Sequence, residues 1–234
     1  MYKLSNRLKS IASEIEKGES IADIGTDHGF LPLWLWAKRI SPKVIMADVS
    51  AGSLKKAEEN CKEAYPEEQF DLRLGNGLEV LEPGEVDTIV IAGMGGVLMT
   101  EILGAELSKT KSFRKFILQP RSAVGELRHW LFHQGFSIIG ECLVREGKFI
   151  CEILTVVPEP EVVLDFSLAK EPAESIRWEL PSWHKGQQDD LTRDYLNRKL
   201  LREEKILNAM NNSEIADPTP IEKNILYIKQ LLED

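Results

Sequence analysis

The sequence predicts an α/β fold with a mostly parallel, seven-stranded sheet, an antiparallel hairpin at its end, and an α-helical tail. Short apolar strands alternate with segments of helical periodicity up to residue 134, which is typical of a parallel sheet covered by helices on both faces. Two strand-like segments, 136–145 and 148–157, then follow each other too closely for a crossover helix, so they must form a hairpin. Beyond several prolines, two amphipathic segments make the tail.

The elements of the sheet region follow one another in a regular order. Leu4, Leu8, Ile11 and Ile15 recur at helical spacing, so residues 4–17 are predicted to form the first helix. The strands predicted before the hairpin are SIADI (which precedes Gly25), 43–47, 69–74, 86–92 and 113–118. The helices predicted between them are 30–39, 50–65, 97–107 and 123–134.

The tail begins where prolines become frequent, at Pro158, Pro160, Pro172 and Pro181. We therefore expect a sheet domain over residues 1–157 and a helical domain over 158–234. Apolar stripes predict helices over 187–210 and 219–233. Asp217-Pro218 breaks the chain between them, which favours an antiparallel helical hairpin.

The composition is typical of a globular protein of the cytoplasm. Of the 234 residues, 43% are hydrophobic and 29% charged. No apolar run approaches the roughly 20 residues that cross a bilayer, and the N-terminus has no signal-peptide pattern. Cys61, Cys142 and Cys151 are too few and too irregularly spaced for a disulfide framework or a zinc site. We therefore expect free thiols, no metal, no membrane contact and no obligate protein partner.

The net charge of −9 is not typical of a nucleic-acid-binding domain, yet average charge hides local clusters. Basic residues are concentrated near the N-terminus, in the tail and around one strand: Lys3, Arg7 and Lys9; Arg193, Arg198, Lys199 and Arg202; Arg114, Lys115, Arg121 and Arg128. Each cluster is either an ordinary solvated surface or part of a surface for an anionic partner.

A glycine-containing loop follows the first strand: Asp23-Ile24-Gly25-Thr26-Asp27-His28-Gly29. In an open α/β sheet, nucleotide-like ligands bind beyond the carboxyl ends of the strands, and this loop follows the first of them. Gly25 permits a sharp turn and a close approach to the ligand. Asp27 would repel a pyrophosphate but suits a cation. The loop therefore favours S-adenosyl-L-methionine, which carries a sulfonium and an ammonium, over NAD.

The next two strand ends carry polar residues. Asp48 can accept hydrogen bonds from both hydroxyls of a ribose, a feature that NAD enzymes share. A helix N-cap is the alternative for Asp48, although Ser50 is available for that role. In Gly75-Asn76-Gly77 the glycines allow the backbone to lie along the edge of an adenine, to which Asn76 can donate and from which it can accept hydrogen bonds. A plain turn explains the same three residues equally well.

The central strand is followed by Gly93-Met94-Gly95-Gly96. Three glycines in four positions are costly in entropy unless close approach is needed, so we expect this segment beside the cofactor, with Met94 over it. The next strand ends in Gln119-Pro120-Arg121 on the same side of the sheet. Gln119 suits a base edge and Arg121 a phosphate, and a structural turn is the alternative.

Taken together, these residues resemble one family. The motifs are LSNRL (4–8), ADIGTDHGFLP (22–32), NGL (76–78), IAGMGG (91–96), LQP (118–120), LRHWL (127–131) and LVREGKF (143–149). The sequence is similar to the bacterial tRNA (adenine-22-N1)-methyltransferases, the TrmK family, over nearly the whole chain. One departure is Cys151 before Glu152, where the family usually has Tyr.

The resemblance implies a class I Rossmann-like methyltransferase fold, S-adenosyl-L-methionine as methyl donor, and methylation of N1 of adenine 22 in tRNA. By motif matching it places the following residues at the cofactor: Asp23, Gly25, Asp27, Asp48, Asn76, Gly77, Gly93 and Met94. To this set we add their neighbours Thr26, His28, Gly29 and Gly95. The tail would help to hold the tRNA by its overall shape.

Gln119 and Asp27 are our candidates for handling N6 and N1 of the adenine, and Asp27 is alternatively a partner of the cofactor's ammonium. The residues expected to contact tRNA are Arg7, Gln119, Pro120, Arg121, Arg193 and Lys199. Three alternatives remain: an NAD-dependent oxidoreductase, a non-catalytic RNA-binding module, and a methyltransferase for a small molecule. The acidic loop and the antiparallel end of the sheet weigh against the first, because dinucleotide dehydrogenases keep the sheet parallel.

Overall fold

The fold is described by a computed structural model for residues 3–159, 170–172, 174–181, 189–211 and 217–233. Pro160 and residues 187–188, with which the predicted helix 187–210 begins, lie outside these ranges. The strands are β1 (Ile21–Ile24), β2 (Val44–Asp48), β3 (Asp71–Leu74), β4 (Thr88–Gly95), β5 (Lys115–Ser122), β6 (Ser137–Glu146) and β7 (Phe149–Val157). The helices of the sheet region are α1 (Asn6–Ser13), α2 (Phe30–Ala37), α3 (Ala51–Ala64), α4 (Gly96–Gly104), α5 (Leu107–Thr110) and α6 (Val124–His133). The tail contains α7 (Ile176–Glu179), α8 (Asp190–Asn211) and α9 (Thr219–Glu233).

The seven strands form one sheet in the order β3-β2-β1-β4-β5-β7-β6. The pairs from β3 to β5 are all parallel, and β7 runs antiparallel to both β5 and β6. This confirms the predicted mostly parallel sheet with an antiparallel hairpin.

Two apolar layers cover the sheet, because side chains alternate between its faces along each strand. On β4, Val90 faces the layer built from α1, α2 and α3, whereas Ile89 and Ile91 face the layer built from α4 and α6. All three side chains are fully buried. The continuous apolar run of this strand follows from its burial on both faces.

β4 and β5 extend further than the sequence predicts. Two segments that were expected to follow these strands, Gly93-Met94-Gly95 and Gln119-Pro120-Arg121, instead continue them. The pairing shifts register on either side of Met94, and Gly93 has a φ of +80°. An irregularity of this kind bends the strand and re-aims its side chains, which here occurs at the carboxyl tip of the sheet.

The tail packs against the hairpin through a third apolar cluster, which includes Ile176, Tyr195, Leu196 and Ile228 with Leu143 and Ile150 of the hairpin at its edge. α8 and α9 lie against each other, and Asn224 Nδ2 donates to Glu203 Oε2 over 3.0 Å. The two predicted tail helices are therefore present. The short helix α7, which lies among the prolines, was not predicted.

A buried ion cluster joins the tail to the sheet. Arg128 is 4% exposed, and its guanidinium binds Glu141 at 2.8 Å, Glu152 at 2.7 Å and the carbonyl oxygen of Trp178 at 3.0 Å. Tyr195 donates from its hydroxyl to Glu152 Oε1 over 2.8 Å. The sequence placed Arg128 in a basic surface cluster, and this was wrong because its three partners surround it inside the protein.

Candidate functional site

The carboxyl ends of β2, β1 and β4 meet at one edge of the sheet. Ile24 of β1 is in register with Ala47 of β2 and with Ile91 of β4, so the residues that follow these three lie side by side. An edge of this kind is where open α/β sheets bind their ligands. The Asp23–Gly29 loop, Asp48 and the Gly93–Gly95 tip all belong to it.

Asp23 is a buried carboxyl at this edge, with 9% of its surface exposed. The pKa of Asp23 is raised to about 6, chiefly by burial and to a smaller extent by Asp48, and this is the net result after the lowering effects of the Thr26 hydroxyl and Arg7. The charged form is disfavoured by loss of water, so a nearby cation would stabilise it. A positively charged ligand bound beside Asp23 would therefore favour the ionised carboxylate.

The glycine loop is shaped by close contacts. Gly25 has a φ of +83°, and a Cβ on it would collide with Cε of Met94 at the tip of β4. Gly29 has a φ of +67°, and a Cβ there would lie 2.9 Å from Sδ of Met46. The missing Cβ atoms thus let the loop backbone pack directly against the thioethers of Met94 and Met46.

Asp48 is half-buried, and its Oδ1 accepts from the backbone N–H of Ser50 over 2.7 Å. Within the residues that the structure describes, its Oδ2 has no hydrogen-bond partner and remains available to a ribose hydroxyl. Ser50, not Asp48, caps α3 with its side chain. Next to Asp48, Val49 is 72% exposed and offers an apolar surface.

Asn76 directly precedes a 3-10 helix over Gly77–Val80, and its backbone N–H donates to Glu79. Gly77 has a φ of +55°, and a Cβ there would lie 2.8 Å from Cγ2 of Ile102 on α4. Close packing against α4 is thus one reason for this glycine. The cofactor contact expected of Asn76 and Gly77 stays a prediction.

Asp27 is exposed and lies apart from Gln119. Its carboxylate pairs with Lys56 Nζ of α3 and with His28 Nε2, both at 3.3 Å. The His28 ring stacks on Phe30 at a centroid distance of 5.0 Å. These contacts hold the middle of the loop against α2 and α3. The proposed catalytic role of Asp27 stays a prediction.

A pocket of about 260 Å³ lies on the other side of the β4 tip. Its lining residues come from the N-terminal helix, β4, β5 and the hairpin: Arg7, Gly93, Gln119, Pro120, Arg121, Glu146, Phe149, Ile150 and Cys151. We call it the acceptor pocket. It brings together Arg7, Gln119, Pro120 and Arg121 of the predicted substrate residues, but not Asp27.

A chain of hydrogen bonds fixes the polar wall of the acceptor pocket. The Glu146 carboxylate accepts two hydrogen bonds from Arg7, one from the side-chain Nε at 3.2 Å and one from the backbone N–H at 2.9 Å. Arg7 Nη1 donates to Gln119 Oε1 at 2.9 Å, and Gln119 Nε2 donates to the carbonyl oxygen of Pro120 at 2.8 Å. These two hydrogen bonds set the orientation of the Gln119 amide, which is only 1% exposed, and among the described residues its second N–H has no partner.

Cys151 lies in the wall of this pocket, where burial raises the pKa of its thiol. Burial likewise raises the pKa values of Cys61 and Cys142 to about 11. All three cysteines are free, as expected, and their thiols stay protonated near neutral pH.

A wider groove continues from the acceptor pocket to α8. Pro120, Arg121, Phe149 and Ile150 line both spaces. From the tail the groove is lined by Glu179, Tyr195, Arg198, Lys199 and Arg202. Lys199 Nζ binds Glu179 at 2.6 Å, and Arg202 is 63% exposed. Arg193 is exposed on the same helix but is not one of the lining residues.

Sequence reasoning missed three features of this region. Phe149 lines both spaces, yet the sequence analysis gave it no role. Glu152 and Tyr195 belong to the buried Arg128 cluster, which was not predicted. The only sign of it in the sequence is that these two polar residues interrupt the apolar patterns of a strand and a helix. Within the described part of the chain, no group of three or more His, Cys, Asp or Glu side chains is arranged to hold a metal ion. No helix of the described residues combines the length and the apolar character needed to span a membrane.

Comparison with known proteins gives consistent results. The pattern of the family described as "Methyltransferase domain" matches residues 4–154. The tRNA (adenine(22)-N(1))-methyltransferase of Bacillus subtilis is 34% identical over 152 residues, which cover 65% of this chain and 64% of that protein. The alignment thus spans a little less than two thirds of that relative.

Solved structures extend the similarity to the tail. The M1A22 tRNA methyltransferase TrmK of Bacillus subtilis has a TM-score of 0.78 at 26% identity, covering 100% of this chain and 97% of that one. A Streptococcus pneumoniae protein, solved in complex with S-adenosyl-L-methionine, has a TM-score of 0.80 at 27% identity, covering 98% and 100%.

Proposed function

The chain belongs to the methyltransferase-domain family and is similar there to the bacterial tRNA (adenine-22-N1)-methyltransferases, and on this premise we propose that it methylates N1 of adenine 22 in tRNA. The observation that carries the proposal is the position of Gly93 at the tip of β4. The glycine loop and the Asp23 carboxyl lie on one side of this tip, and the acceptor pocket lies on the other.

The cofactor side fits S-adenosyl-L-methionine. The buried Asp23 carboxyl favours a cation, and Oδ2 of Asp48 is available to a ribose hydroxyl. At Gly25 the absence of a Cβ lets the Met94 thioether of the β4 tip pack directly against the backbone of the glycine loop. When bound, the cofactor supplies an electrophilic methyl group. The residues assigned to it from the motifs remain part of this proposal.

The acceptor side fits a purine. N1 of adenine is essentially unprotonated near neutral pH, so no base is needed to activate it. The protein then contributes by positioning, which supplies roughly 7–11 kcal/mol in well-oriented reactions. Arg7 fixes the Gln119 amide, whose remaining N–H we assign to the edge of the base. A paired adenine must first be freed, at a cost of a few kcal/mol.

The tail contributes the anion-binding part. We propose residues 1–157 as the catalytic domain and 158–234 as a tRNA-contacting domain whose cations line the groove beside α8. Arg193 and Lys199 remain candidates for phosphate contacts. Because tRNA is the proposed substrate, we assign the protein to the cytoplasm.

The test is to incubate the protein with an unmodified tRNA transcript and S-adenosyl-L-methionine labelled in the methyl group, and then to map the modified nucleotide. We expect label at N1 of adenine 22 and none in a transcript with guanosine at that position. Transfer to another nucleotide would overturn the assigned target, and binding of NAD in place of S-adenosyl-L-methionine would overturn the reaction class.

A further inference from the structure

We propose that the acceptor purine stacks on the ring of Phe149, a position that rests on the proposed function. Phe149 is a large apolar side chain with 60% of its surface exposed. Single exposed apolar residues are common, so exposure alone carries little. Four residues line both the acceptor pocket and the groove beside α8, and Phe149 is the aromatic one among them.

The ring shares a pocket with the tip of β4. Gly93, Gln119 and Phe149 line the same 260 Å³ space. A base held beside the Gln119 amide and over Gly93 therefore has Phe149 as an aromatic wall. Nucleobases released from a helix are commonly bound by stacking on aromatic side chains together with hydrogen bonds to their edges.

The hairpin presents the ring from a fixed position. Phe149 is paired in register with Glu146, which holds Arg7 and through it Gln119. On the tail side, Arg198 Nη1 donates to the carbonyl oxygen of Lys148 at 2.6 Å, and Arg145 binds Asp194 at 2.6 Å. These contacts fix the backbone that carries Phe149, so only the torsions of its side chain remain to be ordered when a base binds.

The charges around the ring complement a nucleic acid. Lys148 Nζ lies 5.2 Å from the centroid of the Phe149 ring, and Arg121 lines both spaces beside it. Cations next to an aromatic ring are the usual arrangement where proteins bind single-stranded nucleic acid, because they contact phosphates while the ring takes the base. This combination favours a nucleotide over a purely apolar ligand.

The experiment compares Phe149→Ala, Phe149→Leu and Phe149→Trp in methyl transfer to tRNA. We expect kcat/KM to fall by about 10- to 100-fold in the Ala variant, in line with the effect of removing one stacking partner. The Trp variant should retain most of the activity, and the Leu variant should resemble Ala. The affinity for S-adenosyl-L-methionine, measured by titration, should stay unchanged in all three.

Ile139→Ala is the matched control, because Ile139 is 45% exposed on the same hairpin and is not one of the residues lining either space. It should behave like the wild type. Full activity of the Ala variant, or equal activity of Leu and Phe at this position, would overturn the stacking. If the wild-type protein transfers no methyl group, the proposed function fails. The stacking is then decided by binding of an adenine-bearing single-stranded RNA, which the Ala variant must weaken and the Trp variant must restore.

Discussion

Nη1 of Arg7 lies 2.9 Å from Oε1 of Gln119 and donates a hydrogen bond to it, although 112 positions separate the two residues. The contact joins α1 to β5 and, through Glu146, to the hairpin. Gln119 is almost fully buried, and Arg7 keeps its amide oxygen satisfied while its amide nitrogen donates to the carbonyl oxygen of Pro120. The N-terminal segment is thus a structural part of the acceptor pocket.

The first prediction concerns Arg7→Ala. Removing the guanidinium leaves a buried amide oxygen without its partner, which costs about 1–3 kcal/mol, and frees the Gln119 side chain to rotate. If this cost falls on the orientation of the bound adenine, kcat/KM for tRNA methylation should fall by about 5- to 150-fold, since each 1.4 kcal/mol is a factor of ten. Lys9→Ala, an exposed change on the same helix, is the matched control in the same assay. Equal activity of the two variants would contradict the role of Arg7.

The second prediction concerns the pH dependence of stability through Asp23. Burial raises its pKa from 3.8 to about 6, so between these values the folded protein binds a proton that the unfolded chain has released. The protonated Asp23 carboxyl therefore stabilises the folded state fully below about pH 4. This stabilisation, about 3 kcal/mol, is lost as the pH rises through about 6.

Urea unfolding of the wild type and of Asp23→Asn between pH 4 and pH 7.5 measures this effect. The variant carries no titrating group at position 23, so the stability of the wild type relative to it should decline across the window. A constant difference would show that Asp23 does not titrate there. Added S-adenosyl-L-methionine should stabilise the wild type more at pH 7 than at pH 5, because the ionised carboxylate favours a cation.

The third prediction concerns Arg128→Met. Burial lowers the pKa of Arg128, but Glu141 and Glu152 outweigh it and raise that pKa above its usual value. Deleting the cation removes the buried positive charge that pairs with both Glu141 and Glu152, so the free energy of unfolding should fall by about 3–5 kcal/mol. Arg114→Met removes an ion pair with Asp87 in which the Arg114 side chain is 79% exposed. It should lower the free energy of unfolding by only about 0–1 kcal/mol. Similar midpoints for the two variants in urea would contradict this difference.

Sequence periodicity was sufficient for the seven strands, most of the helices and the mostly parallel sheet with its antiparallel hairpin, because these depend on local patterns and short connections. The hairpin prediction, for example, needed only the two residues Glu146-Gly147 between apolar segments. The Arg7–Gln119 and Arg128–Glu152 contacts depend on how distant elements pack. A single sequence shows a charged residue near a strand end but not whether another chain segment will bury it. The position of Asp23, by contrast, was predicted, because the end of a first strand is defined by topology alone.

The last prediction concerns Gly93→Ala at the tip of β4. Gly93 has a φ of +80°, and the nearest atoms to a Cβ built there are Nη1 of Arg7 at 3.9 Å and Cδ of Arg121 at 4.0 Å. The free protein therefore has room for the methyl group, which would occupy the acceptor pocket. Gly18 is a matched control, since its φ is +102° and a Cβ there meets no atom within 4 Å.

Both substitutions place an alanine in the left-handed region, which costs roughly 1–2 kcal/mol per residue, so urea unfolding should show comparable losses of stability. Methyl transfer should separate them. Gly18→Ala should retain activity, because Gly18 lies at the opposite end of the sheet, before β1. Gly93→Ala should lose at least about 100-fold in kcat/KM, because misplacement of reacting groups by about 1 Å has an effect of this size. If Gly93→Ala were folded and as active as Gly18→Ala, the methyl acceptor could not lie over the tip of β4, and the placement of both ligands would have to be abandoned.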